Sequence, residues 1–199
     1  EIKSLSFSDD SYVKFIGNNV FQNSKINKLI IPASLLKVDN DWIKDANNLT
    51  RIKVAPNCAL FSVVRDFLIF NNTDKYEVLF APKNFNGNYS VDVETIKIGN
   101  YCFTNVKGLL SLNSNALSLQ IIGSHAFYKC DELNRITINQ CKNLTIGNFG
   151  FAENAKLSIV EISCENIDIG ANCFENDKKL QNVIFKITNK IDIKSNAFN

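Results

Sequence analysis

Methionine is absent from the 199 residues, and histidine and tryptophan occur once each. One histidine and no Cys-x-x-Cys pair leave no ligand spacing for a zinc site. His125 also lacks a serine or cysteine nucleophile signature around it, so histidine-based nucleophilic catalysis is hard to assemble. No apolar run approaches the ~18 residues of a membrane span, so this segment is not expected to insert into a bilayer. Arginine is scarce beside lysine, and the net charge is only +2, too balanced for an electrostatic nucleic-acid binder. Long 3.6-residue periodicity is missing as well, so helices should be short or absent. With neither an initiator methionine nor a signal peptide, the chain reads as a processed or excised piece. Hydrophobic residues at 45% and charged residues at 21% are enough to bury a core. Asparagine is plentiful, which suits a surface with many turns, because its side chain tolerates left-handed backbone.

Two interleaved phrases repeat along the chain. The first is Ile-Gly, two variable residues, a small residue and Phe. It reads IGNNVF at Ile16–Phe21, IGNYCF at Ile98–Phe103, IGSHAF at Ile122–Phe127, IGNFGF at Ile146–Phe151, IGANCF at Ile169–Phe174 and IKSNAF at Ile193–Phe198, with a degenerate VDNDWI at Val38–Ile43. The second phrase alternates apolar residues about a centre at Leu5, Leu29, Ile52, Tyr89, Leu112, Ile136, Val160 and Val183. Period-2 alternation predicts a short strand with its central residue inward and its flanking residues outward. A unit of about two dozen residues cannot bury its own apolar face, so stacked coils must bury it together. The Gly after each Ile is expected to permit a tight turn, and each Phe to stack on the Phe of the next coil. The expected fold is therefore mostly β: one right-handed solenoid of eight coils whose strands form a single parallel sheet.

One interval, from Ile52 to Tyr89, is longer than the others. Within it Phe67–Phe70 and Tyr76–Phe80 flank the polar stretch Asn71–Lys75, which reads as a hairpin with a five-residue turn. Residues 55–85 are thus an island inside one solenoid domain over 1–199. The next strand phrase would fall due just past Phe198, and neither end shows a polar cap, so a piece of a longer array is expected.

At these residues the chain resembles the BspA-type leucine-rich-repeat family. The nearest copy of the family pattern is Ile122-Gly123-Ser124-His125-Ala126-Phe127-Tyr128-Lys129-Cys130-Asp131-Glu132-Leu133, running on into Ile136-Thr137-Ile138. Leu29-Ile30-Ile31-Pro32 keeps the strand-then-Pro step, and Phe61 to Pro82 is similar to an island found in the family. The family Cys is kept only at Cys130, and the Gly is lost at Asp39 and Lys194. The resemblance implies a non-enzymatic, cofactor-free surface or secreted protein that adheres to host cells or matrix proteins. An intracellular scaffold of the same fold is the alternative.

Cys102 and Cys173 sit three coils apart, beyond disulfide reach, and are expected to be buried thiols. Cys141 and Cys164 stack in adjacent coils within disulfide range, but a pair of free thiols is expected. His125 falls among the variable residues of its phrase and is expected on the surface. Asp9-Asp10 and Asp131-Glu132 read as solvated acidic pairs. Sequons at Asn48, Asn71, Asn88 and Asn143 are acceptors for glycosylation if the protein is secreted by a eukaryote, Asn71 at the hairpin tip most plainly. Arg51, Lys53, Arg135, Ile159 and Ile184, all on the outward strand columns, are the candidate residues for contact with a host protein or cell-surface ligand.

Overall fold

The computed structural model describes residues 2–8, 10–72 and 75–199, Lys75 by its backbone alone. Asp9, and Thr73 and Asp74 of the expected hairpin turn, lie outside the described residues. Among those described, the chain is all strand and turn, with no helix, and winds through about eight turns of a β-solenoid.

The first strand row begins with β1 (Ser4–Leu5), whose phrase-mates are β3 (Lys28–Ile31) and β5 (Arg51–Val54). They pair in parallel, with Leu5 opposite Leu29 and Leu29 opposite Ile52. The row resumes at β9 (Asn86–Val91) and β11 (Gly108–Ser114), then continues into β13 (Arg135–Ile146), β14 (Ile159–Ile169) and β15 (Asn182–Ile193). Tyr89, Leu112, Ile136, Val160 and Val183 occupy successive positions in register. Alternation works as expected: Leu112, Ile136 and Val160 are fully buried while their strand neighbours reach solvent.

The Ile-Gly phrases make a second parallel row. Its strands are β2 (Phe15–Ile16), β4 (Lys37–Val38), β10 (Lys97–Ile98), β12 (Ile121–Ile122) and the C-terminal ends of β13, β14 and β15. A register shift between Ile138 and Cys141 carries β13 through the corner that joins the two rows, as a bulge does.

The expected single sheet is broken. β5 and β9 do not pair, so the first row divides into a three-stranded and a five-stranded ladder. The island fills the gap as a meander of β6 (Phe61–Val64), β7 (Phe67–Asn72) and β8 (Lys75–Phe80). Asn72 pairs with Lys75, so the second connection is shorter than the expected five-residue turn. β8 then stands in for a coil of the second row, placing Val78 beside Ile98. The Glu77 carboxylate meets the Lys97 ammonium at 3.1 Å across that junction.

The break has a packing cause. Phe67, Ile69 and Val78 join the C-terminal core, whereas Phe61, Leu68 and Phe80 join the N-terminal core around Trp42 and Leu29. The island is a wall between the two cores, standing in the first row where a further coil would have joined β5 to β9.

Five rings run up the C-terminal core: Phe103, Phe127, Phe151, Phe174 and Phe198, with centroids 4.7, 5.1, 5.6 and 5.2 Å apart in near-parallel stacks. Backbone bonds hold the register, Phe103 N–H donating to the Ala126 carbonyl at 2.7 Å and Phe127 N–H to that of Gly150 at 2.8 Å. At Gly123, Gly147 and Gly170 the phrase glycine serves close approach and not a turn. A Cβ on Gly123 would lie 2.6 Å from the Asn100 nitrogen, and one on Gly147 2.5 Å from that of Ser124. Left-handed backbone belongs instead to the following turn, at Asn19, Asn23, Asn105, Asn172, Asn176 and Asn196 among others.

Candidate partner-binding face

The outward columns of the first row form a polar face, and the break divides it. On the three-stranded part, Lys28 lies beside Arg51 and Ile30 beside Lys53. Arg51 and Lys53 are exposed and form no ion pair among the described residues. This patch is therefore cationic. On the five-stranded part, Arg135 lies beside Ile159 and Glu161 beside Ile184. Arg135 Nη2 meets Glu161 Oε1 at 3.0 Å and its Nε donates to Thr137 Oγ1 at 3.4 Å, so this patch is close to neutral. The five candidate residues thus fall into two groups: Arg135, Ile159 and Ile184 come together, whereas Arg51 and Lys53 sit across the gap.

On the island side of the gap, between the β6–β7 hairpin and β9, is a cleft of about 230 Å³. Phe67, Ile69, Phe85 and Tyr89 give it apolar walls, with Arg65, Asn88, Ser90 and Asp92 at its polar edges. Arg65 and Asp66 form the turn between β6 and β7, with φ of 50° and 70°, the left-handed pair that a type I′ hairpin demands. Tyr89 occupies the central column position that is aliphatic in the other seven coils. Burial raises its phenol above the usual range; the Asp92 charge adds to the shift and Arg65 opposes it. An aromatic in an otherwise aliphatic column is the sequence signal for the cleft.

His125 is not a solvated surface residue. Its ring stacks between Tyr101 and Phe149, at 4.9 Å from each, with Tyr128 at its edge. Tyr101, His125 and Phe149 share one turn position in three consecutive coils, with φ of 57°, 54° and 55°. Burial lowers the imidazole pKa first, Lys44 lowers it further, and Asp41 and Asp45 oppose.

Of the six cysteines, four are free and two are bonded, and among the free ones Cys58 is part-exposed. Cys102, Cys130 and Cys173 are fully buried free thiols. Burial pushes Cys130 up to about 12 and raises the other two as well, which makes them inert. Cys141 and Cys164 depart from expectation: they are bonded as a disulfide. The bulge before Cys141 ends with the two residues directly paired, Cα atoms 4.7 Å apart and within the disulfide range. Near the base of the island, Lys83 donates from Nζ to the Thr104 carbonyl at 2.7 Å, and burial pushes its ammonium down to about 8.

Of the four sequon asparagines, Asn48 spends its amide nitrogen on the Ser24 carbonyl at 2.9 Å. Asn88 and Asn143 are exposed and use their carbonyl oxygens as acceptors, from Ser111 Oγ and Asn166 Nδ2. Asn71 is exposed on the hairpin, but Thr73 of its sequon lies outside the described residues.

The family model described as a BspA type leucine rich repeat region matches six copies, over residues 1–86 and 80–199. The chain belongs to the BspA-type leucine-rich-repeat family. No curated protein matches it significantly. A leucine-rich repeat protein from Eubacterium ventriosum is similar in structure, with a TM-score of 0.64, 20% identity, and coverage of 86% of this chain and 52% of that one. A leucine rich cell surface protein from Faecalibacterium prausnitzii gives 0.60 at 16% identity, covering 87% and 51%. The pneumococcal vaccine antigen PcpA gives 0.66 at 19% identity, covering 97% and 62%. The chain therefore spans roughly half to three fifths of these relatives' length, and the likeness is one of fold. Within the family assignment, this is a repeat protein suited to protein–protein interaction.

Proposed function

We propose that this leucine-rich-repeat segment is a non-enzymatic adhesive module, displayed at the cell surface or secreted, that binds a host protein or cell-surface ligand through its first strand row. The observation that carries the reading is the divided polar face: an unpaired cationic patch at Arg51 and Lys53, and a near-neutral patch at Arg135, Ile159 and Ile184. Breadth and arginine anchors suit a macromolecular partner. The Cys141–Cys164 disulfide favours an oxidising compartment over the intracellular-scaffold alternative. The Faecalibacterium relative's description as a cell surface protein points the same way.

The test is binding to host cells and to an extracellular-matrix coating. Arg51→Glu combined with Lys53→Glu reverses the unpaired patch without disturbing an ion pair. Loss of binding is expected. A second variant replaces residues 71–75 with a short Gly-Ser turn, because loops on rigid scaffolds often carry binding. Binding abolished by the hairpin change and untouched by the charge reversal would move the site to the island. Protease shaving of intact cells of the source organism tests the location: exposed protein is cleaved, intracellular protein is spared.

A further inference from the structure

We propose that the outer face of the three-stranded ladder, β1, β3 and β5, is a docking surface for a sulfated polysaccharide. The proposal rests on the adhesive reading above and names the chemistry of the ligand at its cationic patch. Lys28 and Arg51 share one outward column on adjacent strands, and Lys53 lies beside Ile30 in the other. Exposed Lys3 and Lys25 stand in the segments that lead into β1 and β3. These five cations form no ion pair among the described residues, and residues 2–8, 24–32 and 50–56 contain no carboxylate. Carboxylates of the same coils are engaged elsewhere. In the turn after the second row, Asp39 meets Lys37 at 3.6 Å, Asp41 Oδ1 accepts from Asn100 Nδ2 at 2.9 Å and Asp45 Oδ2 from Gln22 Nε2 at 3.1 Å. Asp10 takes a hydrogen bond from Ser8. Across the gap on the same face, Glu161 neutralises Arg135. The net charge of the whole chain is only +2, so the excess is local.

Charge complementarity therefore calls for an anionic ligand, and the composition of the patch narrows its class. Its outward residues are Ser4, Ser6, Lys28, Ile30, Arg51 and Lys53. No aromatic ring stands among them, and lysine outnumbers arginine. The centre of a protein interface has the opposite make-up, with buried aromatic anchors and few lysines. Hydrated lysine ammoniums suit a flexible polyanion held by charge. Adjacent strands lie ~4.8 Å apart and alternate residues along a strand ~6.7 Å apart, so Lys28, Arg51 and Lys53 fit the footprint of a sulfated disaccharide. A sulfate ester presents three acceptor oxygens and can bridge the Lys28 and Arg51 heads, with the guanidinium fork taking two of them. A carboxylate has only two oxygens in one plane.

The experiment measures binding of the purified protein to immobilised heparin, with hyaluronan, polyglutamate and duplex DNA as carboxylate and phosphate controls. Heparin should bind, and its affinity should fall with salt with a log–log slope of about −2, the counterion-release value for three contacts to a flexible polyanion. Arg51→Ala with Lys53→Ala should weaken it about 25-fold, at about fivefold for each cation facing an anionic surface. Lys186→Ala with Lys190→Ala removes the same charge from exposed positions on β15 and should leave affinity within about twofold, the weak long-range effect of screened charge. All four side chains but the stems of their strands point to solvent, so an unchanged thermal melt should accompany each variant. Absence of heparin binding would overturn the proposal. So would equal losses in the two double variants, which would reduce the effect to net charge. Equal binding of polyglutamate would make an acidic protein the occupant, and equal binding of DNA would make the site indifferent to sulfate; either result overturns it. Such a failure leaves the strand-face reading standing, because that reading is scored on host cells and matrix, where a protein partner would still be lost on charge reversal at Arg51 and Lys53.

Discussion

Cys141 and Cys164 face each other across β13 and β14 and tie two consecutive coils together, 23 residues apart in sequence. Cross-linking that loop restricts the unfolded chain and is worth about 3 kcal/mol on the chain-entropy estimate. Cys141→Ser with Cys164→Ser should lower stability by up to that amount in denaturant melts. Native protein alkylated without reductant should yield a linked 141–164 peptide pair by mass spectrometry. Finding both thiols alkylated under oxidising conditions would refute the pairing and remove one support for an extracellular location.

The ring column gives a second expectation. Phe127 is fully buried between Phe103 and Phe151, where neighbouring coils cannot collapse, so Phe127→Ala should cost about 3–5 kcal/mol. His125→Ala should cost about 1–2 kcal/mol, because it removes a ring from two stacks. His125→Asn should cost less, since Asn19, Asn172 and Asn196 already occupy that left-handed position in other coils. The lowered imidazole pKa fixes the pH sense. The folded state favours neutral His125, so its contribution is complete above the unfolded value near 6.5 and is lost as pH falls through the folded one. Thermal melts at pH 7.5 and pH 5 should therefore diverge more for the wild type than for His125→Asn.

The repeat register was legible because two phrases recur in step, and every neighbouring pair of centres outside the island became a strand pair. The sheet break was not legible. Spacing between Ile52 and Tyr89 reveals extra residues, but not that Leu68 and Ile69 would serve opposite cores. β6 escaped notice because Arg65-Asp66 lacks the Asn or Gly that usually announces a type I′ turn. His125 was misplaced because its phrase looks variable one coil at a time; only the column Tyr101, His125, Phe149 reveals a stack. The strand-face residues were correctly placed outward, but not on one continuous surface.

That unannounced turn is itself testable. Asp66 holds φ of 70° without being glycine. Asp66→Gly should stabilise the β6–β7 hairpin by about 0.5–1 kcal/mol, as an L-residue is relieved of left-handed backbone at the second turn position. A shift of the urea midpoint to higher concentration with unchanged slope is the expected reading. A lower midpoint would mean that the Asp66 side chain contributes more than its backbone costs.

Asp177 offers the sharpest pH test. Asn154 occupies the same position one coil earlier, where its Oδ1 accepts from the Cys130 N–H at 2.8 Å and its Nδ2 donates to the Phe151 carbonyl. Asp177 keeps the first bond, Oδ1 accepting from the Asn154 N–H at 2.7 Å, but its buried Oδ2 has no partner among the described residues. A carboxylate cannot donate as the amide does; a carboxylic acid can. Burial pushes the group up to about 8, with Glu153 adding and the Asn154 bond opposing. A raised carboxyl pKa means that the fold retains a proton the unfolded chain has lost. Its contribution is full below the unfolded value near 3.8 and declines as pH rises, being gone above about 8. Asp177→Asn supplies the donor permanently. The variant should match the wild type near pH 4 and exceed it by a few kcal/mol at pH 9, read as the difference in unfolding free energy at the two values. Equal stability of the two proteins at pH 9 would show that Asp177 ionises there without cost and that the resemblance to Asn154 is one of position only.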